Sequence, residues 1–401
     1  VIIMANGTAR PFVARSAFAY LGRNQGPELF FTDPFTAAAP AQSVIPKTLS
    51  LNRPLESIAI NVRFRVVIGV ADYDAVAAEA PATFLQRLRV TGTFKGAALT
   101  PIDMTGATIN AWMRLFGLVG SSVVINGVRQ PDPGDPYAQT VANFGAQGSY
   151  DVDLWYVVPT WPVVTVGQRA GNIVPLCYQP RDWNDTLQIQ LDYGDRTSFG
   201  TPNAATTTVF TAFGSAAGTP QARIFTSYLI LGAERSGFRT ACVVRNEQSI
   251  TQGVTALGNN VRLGVLQKQK TTNVLVKSGT VLAGTSAGVN VYAALSNLIL
   301  DSTQVMIDNR PIRNNQFNLA AREHVNKQNN TILPQGYLPF LFADSQTPRS
   351  AYRGDLPEVV APGAQFELVT NVVTAGATNQ INVVQEQIWA DRDDPAWMGT
   401  R

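Results

Sequence analysis

Residues 150–159 (YDVDLWYVVP) and 186–193 (TLQIQLDY) decide the reading of this chain. In both, apolar residues recur at every second position, the period of a strand with one buried and one exposed face. Residues 168–178 between them have helix-like spacing. The same order recurs further along. Residues 290–312 are strand-rich, 315–328 (NQFNLAAREHVNKQ) are helix-like, and 335–343 (QGYLPFLFA) read as a strand that answers 186–193. Each half then runs through a long polar loop and closes on another strand, 222–231 (ARIFTSYLIL) and 380–389 (QINVVQEQIW). Two similar all-β units in one chain suggest a building block more than a reaction vessel.

Composition is consistent with that. The 401 residues suffice for two β-sandwiches, and 45% are hydrophobic, enough for two cores. Only 15% are charged, against roughly 25% in an average globular protein. A weakly charged surface suits a protein that buries itself against copies of itself, because interface cores are depleted in charge. A secreted β protein with a neutral surface has the same composition. The net charge is +3, and Arg10, Arg15 and Arg23 give the N-terminal stretch its mild positive bias. That is too little for the many phosphate contacts of strong nucleic-acid binding. Cys177 and Cys242 are too few for a disulfide framework and read as buried thiols. No apolar run reaches the length of a membrane span, and the opening VIIMANG lacks the regions of a signal peptide.

Residues 1–50 read as an arm, with a short amphipathic helix around Phe12, Arg15, Phe18 and Leu21. Residues 51–235 and 236–401 read as the two β units, with the boundary at 232–240 (GAERSGFRT). The clearest strand covers 58–70, where every second residue is apolar and Arg63 and Arg65 lie on the exposed face. Residues 84–90 and 109–118 fit strand or helix equally. Residues 131–136 (PDPGDP) are a turn-rich loop, and 197–220 a long exposed one. In the second half, 261–266 and 272–276 read as short strands, and 366–373 with 380–389 as a hairpin.

Candidate chemistry is sparse. Residues 284–288 (GTSAG) match the G-x-S-x-G elbow, with Asp301 or Asp308 and then His324 in hydrolase order. The sequence after it continues as strand, without the strand-to-helix turn an elbow needs. His324 is the single histidine, which excludes metal sites built on several histidines. Asp151 and Asp153 share a strand face, Asp192 and Asp195 sit at a strand end, and Glu386 lies on the last strand. Nothing pairs them into one glycosidase-like cleft; outer strand faces are their expected place. No catalytic, cofactor-binding or metal-binding residue is assigned. A carbohydrate binder would expose an aromatic platform, for which Trp155, Trp161, Trp183, Trp389 and Trp397 are the candidates. Core or interface anchoring is the plainer role for them.

The strand–helix–strand passage over 150–193, its counterpart over 315–343 and the terminal strand 381–389 resemble the double jelly-roll major capsid proteins of tailless, membrane-containing icosahedral viruses of bacteria. The resemblance spans about residues 50–401. It implies two tandem eight-stranded jelly-roll sandwiches with short helices in the loops, and a homotrimer that forms a pseudo-hexagonal capsomer. It further implies loops such as 197–220 as outer towers and the arm turned toward an internal membrane. Neighbouring capsomers and minor capsid or spike proteins would be the partners, with assembly in the host cytoplasm and residence in the virion. The alternative of a different class is a secreted or surface β-sandwich that binds or cleaves carbohydrate.

Overall fold

The structure, a computed structural model, describes residues 20–25, 29–31, 42–43, 47–50, 55–94, 97–115, 123–129, 144, 146–160, 186–214, 221–231, 241–250, 254–264, 270–282, 291–296, 299–307, 309–314, 333–341 and 366–390. Among the described residues, sixteen strand positions, eight in each half, form the framework.

In the first half the strands, in chain order, are Tyr20–Gln25, an interrupted second strand (Gln42–Ser43 with Lys47–Ser50), Leu55–Ile68, Leu85–Phe94, Ala97–Met104, Gly148–Pro159, Thr186–Tyr193 and Gln221–Leu231. Pairing places the first, eighth, third and sixth side by side in one sheet, and the second, seventh, fourth and fifth in the other. In the second half the positions are Ala241–Ile250, Asn260–Gly264, Lys270–Val281, Leu300–Ile307, Arg310–Asn314, Tyr337–Leu341, Phe366–Val372 and Asn379–Ala390. They pair in the same two orders, one-eight-three-six and two-seven-four-five. Each half is thus a jelly roll, two packed antiparallel sheets between which the chain crosses at every connection but that of the fourth and fifth strands.

Periodicity explains the framework. Ile58, Ile60, Val62, Phe64, Val66 and Ile68 are all buried, and the neighbouring Gly148–Pro159 strand matches them in register along its whole length. The Val123–Ile125 and Val128–Arg129 hairpin turns on Asn126 and Gly127, at φ 50° and 80°. Positive φ at both central residues is what a tight type I′ turn requires, and Asn-Gly supplies it. The 109–118 ambiguity resolves as a helix, Gly106–Leu115, with all ten residues buried.

Residues 20–50 are no free arm from Tyr20 onward. Tyr20–Gln25 pairs with Gln221–Leu231, and Gln42–Ser43 and Lys47–Ser50 pair with Thr186–Tyr193. Of the helix expected around Phe12 to Leu21, only Leu21 among the named positions is described, and it lies in a strand. The 366–390 hairpin does not form. Phe366–Val372 pairs with Asn260–Gly264 and Leu300–Ile307, whereas Asn379–Ala390 pairs with Ala241–Ile250 and Lys270–Val281. Val372 meets Ile381 and Val383 across the sandwich interior, so the turn carries the chain between sheets.

The internal repeat is offset by one strand. Thr186–Tyr193 is a seventh strand, answered by Phe366–Val372, while Tyr337–Leu341 answers Gly148–Pro159. Nor is 197–214 an exposed loop. Gly200–Pro202 pairs with Tyr73–Val76 and Val209–Thr211 with Leu55–Ile68. Phe199 and Phe210 enter the core against Phe64 and Phe84; removing such aromatic surface from water is worth several kcal/mol in all, about 1.5–3 per side chain. The helix-like stretches 168–178 and 315–328, the loop 131–136 and the boundary 232–240 lie outside the described residues.

Candidate functional site

The two halves are joined by a sheet. Ala97–Met104 of the first pairs in parallel with Ala241–Ile250 of the second, through Ile102 with Arg245 and Asp103 with Asn246. One ten-stranded sheet therefore crosses both halves. The sheet Ala241–Ile250, Asn379–Ala390, Lys270–Val281 and Tyr337–Leu341 is consequently covered on both faces. Val274, Val276, Leu338, Phe340, Ile381 and Val383 face the second interior. Leu275, Tyr337 and Val384 join the core of the first half.

Four charged side chains of this sheet, Lys277, Glu247, Arg245 and Glu386, occupy the face turned to the first half. Lys277 Nζ donates to Glu79 Oε2 from the opposite half, and the two side chains are 3% and 6% exposed. The Lys277 ammonium lies 4.4 Å from the Tyr292 ring centroid and 5.4 Å from that of Tyr337, within cation–π range. Tyr337 Oη donates to the other oxygen of Glu79. Burial, then the Glu79 charge, pushes the Tyr337 phenol well above its usual range, so it stays a donor.

Glu247 reaches from the second half to the start of the helix Gly106–Leu115. It accepts from Thr105 N at 2.7 Å, Thr105 Oγ1 at 3.3 Å, Thr108 Oγ1 at 2.9 Å and Asn382 Nδ2 at 2.8 Å. A carboxylate here satisfies a free N–H and complements the helix dipole. Arg245 sits beside Glu386 on the adjacent strand, both side chains 0% exposed, with Nη2 to Oε2 at 2.8 Å and Nε to Oε2 at 2.9 Å. Asn273 Nδ2 donates to the second Glu386 oxygen. Arg245 Nη1 donates across the halves to the Pro159 carbonyl, and its guanidinium carbon is 6.0 Å from the Trp112 ring centroid. Every charge named here has a partner. Buried ionic groups persist when paired and hydrogen-bonded in this way.

The outer face of the first half repeats the motif in the open. Arg65 donates to Asp151 through Nε at 2.8 Å and Nη2 at 2.7 Å, and Arg63 lies 3.5 Å from Asp153. The Arg65 contact, against a smaller opposing effect of burial, holds the Asp151 carboxyl below its ordinary value, helped by Gly214 N–H. Asp153 also accepts from Asn61. The two half-buried arginines thus meet the strand partner of their own chain, and Asp151 and Asp153 are salt-bridged rather than paired as acid and base.

The remaining candidates scatter. Asp195 accepts from Thr197 N and Oγ1 and caps the turn Arg196–Phe199. Asp192 accepts from Gln190. Asp301 lies in the strand Leu300–Ile307 opposite Asn371. Glu386, expected on an outer face, is fully buried because its strand is covered on both sides. Trp155 is 36% exposed and stacks on Phe225 at 5.5 Å between centroids. Residues 284–288, Asp308, His324, Arg10, Arg15, Cys177, Trp161, Trp183 and Trp397 lie outside the described residues. Arg23, Cys242 and Trp389 fall in strands. Among the described residues no three His, Cys, Asp or Glu side chains gather as metal ligands, and no helix is long and apolar enough to cross a membrane.

The sequence reading missed Asp72, Glu79, Arg245, Glu247 and Lys277. One signal was available. Lys277 keeps step with Asn273 and Leu275, so a charge sits on a strand face that is otherwise inward. Asp72 accepts from Gly69 N, Thr207 N and the Thr207 and Thr208 hydroxyls. Burial raises its pKa, but the hydrogen bonds outweigh it and hold the group at about 2.

No protein-family model and no curated protein matches the chain. Solved structures do. The major capsid protein of STIV superimposes with a TM-score of 0.55 at 12% identity, over 92% of this chain and 98% of that one. A chain of the Sulfolobus Turreted Icosahedral Virus structure gives 0.51 at 13% identity, over 92% of each. PBCV-1 VP54 gives 0.50 at 11% identity, over 92% of this chain and 93% of that one. The chain has the double jelly-roll fold. The double jelly roll is the fold it shares, near full length, with these viral capsid proteins, and the repeated strand order described above is its internal signature.

Proposed function

We propose that this double jelly roll is the major structural protein of an icosahedral virus capsid and assembles as a homotrimeric, pseudo-hexagonal capsomer. The observation that carries the reading is the identical strand order of two jelly rolls fused through one sheet. One chain then offers two similar lobes, and three chains about a three-fold axis offer six. Closed rotational symmetry lets a single patch serve every copy. The weakly charged composition supports this reading, since self-association surfaces are depleted in charge.

In this reading the work of the chain is self-association, with no catalytic step. The protein resides in the virion shell after assembly in the host cytoplasm. Its partners are copies of itself, neighbouring capsomers and minor capsid or spike proteins, with an internal membrane facing the N-terminal residues. The two jelly rolls divide near residue 235, and the first takes in the strands from Tyr20 onward. Negative-stain images of the purified full chain test the proposal. Particles with a hexagonal outline and three-fold averages are expected. Single two-lobed particles at all concentrations would overturn it.

A further inference from the structure

We infer that the buried charges between the jelly rolls form a lock that makes the two halves one cooperative unit with a fixed mutual setting. The inference rests on the seam alone and stands whether or not the chain builds capsids. Three needs of the first half are met by the second. Glu79 receives its cation from Lys277 and a phenol from Tyr337. The helix Gly106–Leu115 has its first turn closed by Glu247. The carbonyl of Pro159, at the end of Gly148–Pro159, is met by Arg245. The backbone adds a parallel pairing two residues long and one hydrogen bond from Ala78 N to the Tyr292 carbonyl at 2.9 Å, a short seam to fix an angle between sandwiches.

An apolar seam would hold the halves together but would tolerate sliding, because apolar contact is non-directional. Charged partners do not tolerate it. A shift of one residue along Lys270–Val281 turns Lys277 to the opposite face and strands Glu79 without its cation. Separation would break the Lys277–Glu79 pair and both hydrogen bonds to Glu79. The lysine is also held laterally by the Tyr292 and Tyr337 rings, and Tyr292 donates to Asn382, which in turn donates to Glu247. The Lys277 and Glu247 contacts are therefore linked through one network, and the Arg245 contact stands beside it.

Hydrogen exchange on the full-length protein, read by mass spectrometry, tests this. The probes are the core strands Leu55–Ile68 in the first half and Asn379–Ala390 in the second. Lys277→Met removes a cation that belongs to the second half. The lock predicts that exchange accelerates in both strands by a similar factor, about a hundredfold. Acceleration confined to Asn379–Ala390 would overturn it. If Lys277→Met yields no folded protein, Glu79→Leu with Lys277→Met carries the test, since it leaves no unpaired charge. That pair is expected to shift both strands together by a smaller factor. A shift of one strand alone, or of neither, overturns the lock.

Discussion

Two arginine–carboxylate pairs in this chain are built alike and live in opposite solvents. Arg65 faces Asp151 across Leu55–Ile68 and Gly148–Pro159, and Arg245 faces Glu386 across Ala241–Ile250 and Asn379–Ala390. Each is a directly opposed cross-strand pair. The first has side chains 25% and 20% exposed, the second 0% and 0%. The outer pair is worth little, because water and salt screen it. The inner pair is not a gain over apolar packing either, but breaking it leaves a bare charge in the interior. The location of a charge pair, more than its geometry, sets what its loss does.

The largest effect is expected at Glu386. Glu386→Gln leaves Arg245 without a counter-ion and is expected to lower stability by about 3–5 kcal/mol, measured by urea unfolding. Replacing both partners, Arg245→Met with Glu386→Leu, should recover most of that loss. A pair variant as unstable as the single would mean that the Pro159 carbonyl contact, not the ion pair, matters most.

A smaller effect is expected at Asp72, buried like the inner pair but held by hydrogen bonds instead of a cation. Asp72→Ala strips acceptors from Gly69, Thr207 and Thr208 and should cost about 1–3 kcal/mol. The parent carboxyl titrates at about 2 when folded, against about 3.9 unfolded. Its contribution is complete above the unfolded value and drains away as pH falls toward the folded one. Stability measured from pH 5 down to 2 should therefore fall less steeply in Asp72→Asn than in the parent.

The smallest effect belongs to the outer ladder. Arg65→Ala should leave the urea midpoint close to the parent's, and any shift should shrink with added salt. A large, salt-insensitive loss would mean that this face is covered in the protein as it exists.

Much of the framework was legible because alternation is a local signal. Leu55–Ile68, Gly148–Pro159, Thr186–Tyr193 and Gln221–Leu231 are long, half-buried strands and declare themselves. The strands within 20–50 do not. Tyr20–Gln25 (YLGRNQ) and Gln42–Ser43 are short and polar, and their strand character comes from the neighbour they pair with. The misread 366–390 hairpin has a similar cause. A turn signal reports that the chain reverses, not whether it returns to the same sheet. The seam was least legible. Lys277 and Glu79 are 198 residues apart, and a strand covered on both faces, such as Asn379–Ala390, loses the alternation that would mark Glu386 as inward.

We propose that this double jelly roll associates with itself in threes. Absolute mass by light scattering on the purified full chain tests it most directly. A stable species at three times the 43.2 kDa chain mass, unchanged on dilution, is the predicted result. A single species at the mass of one chain, at every concentration tried, would contradict it.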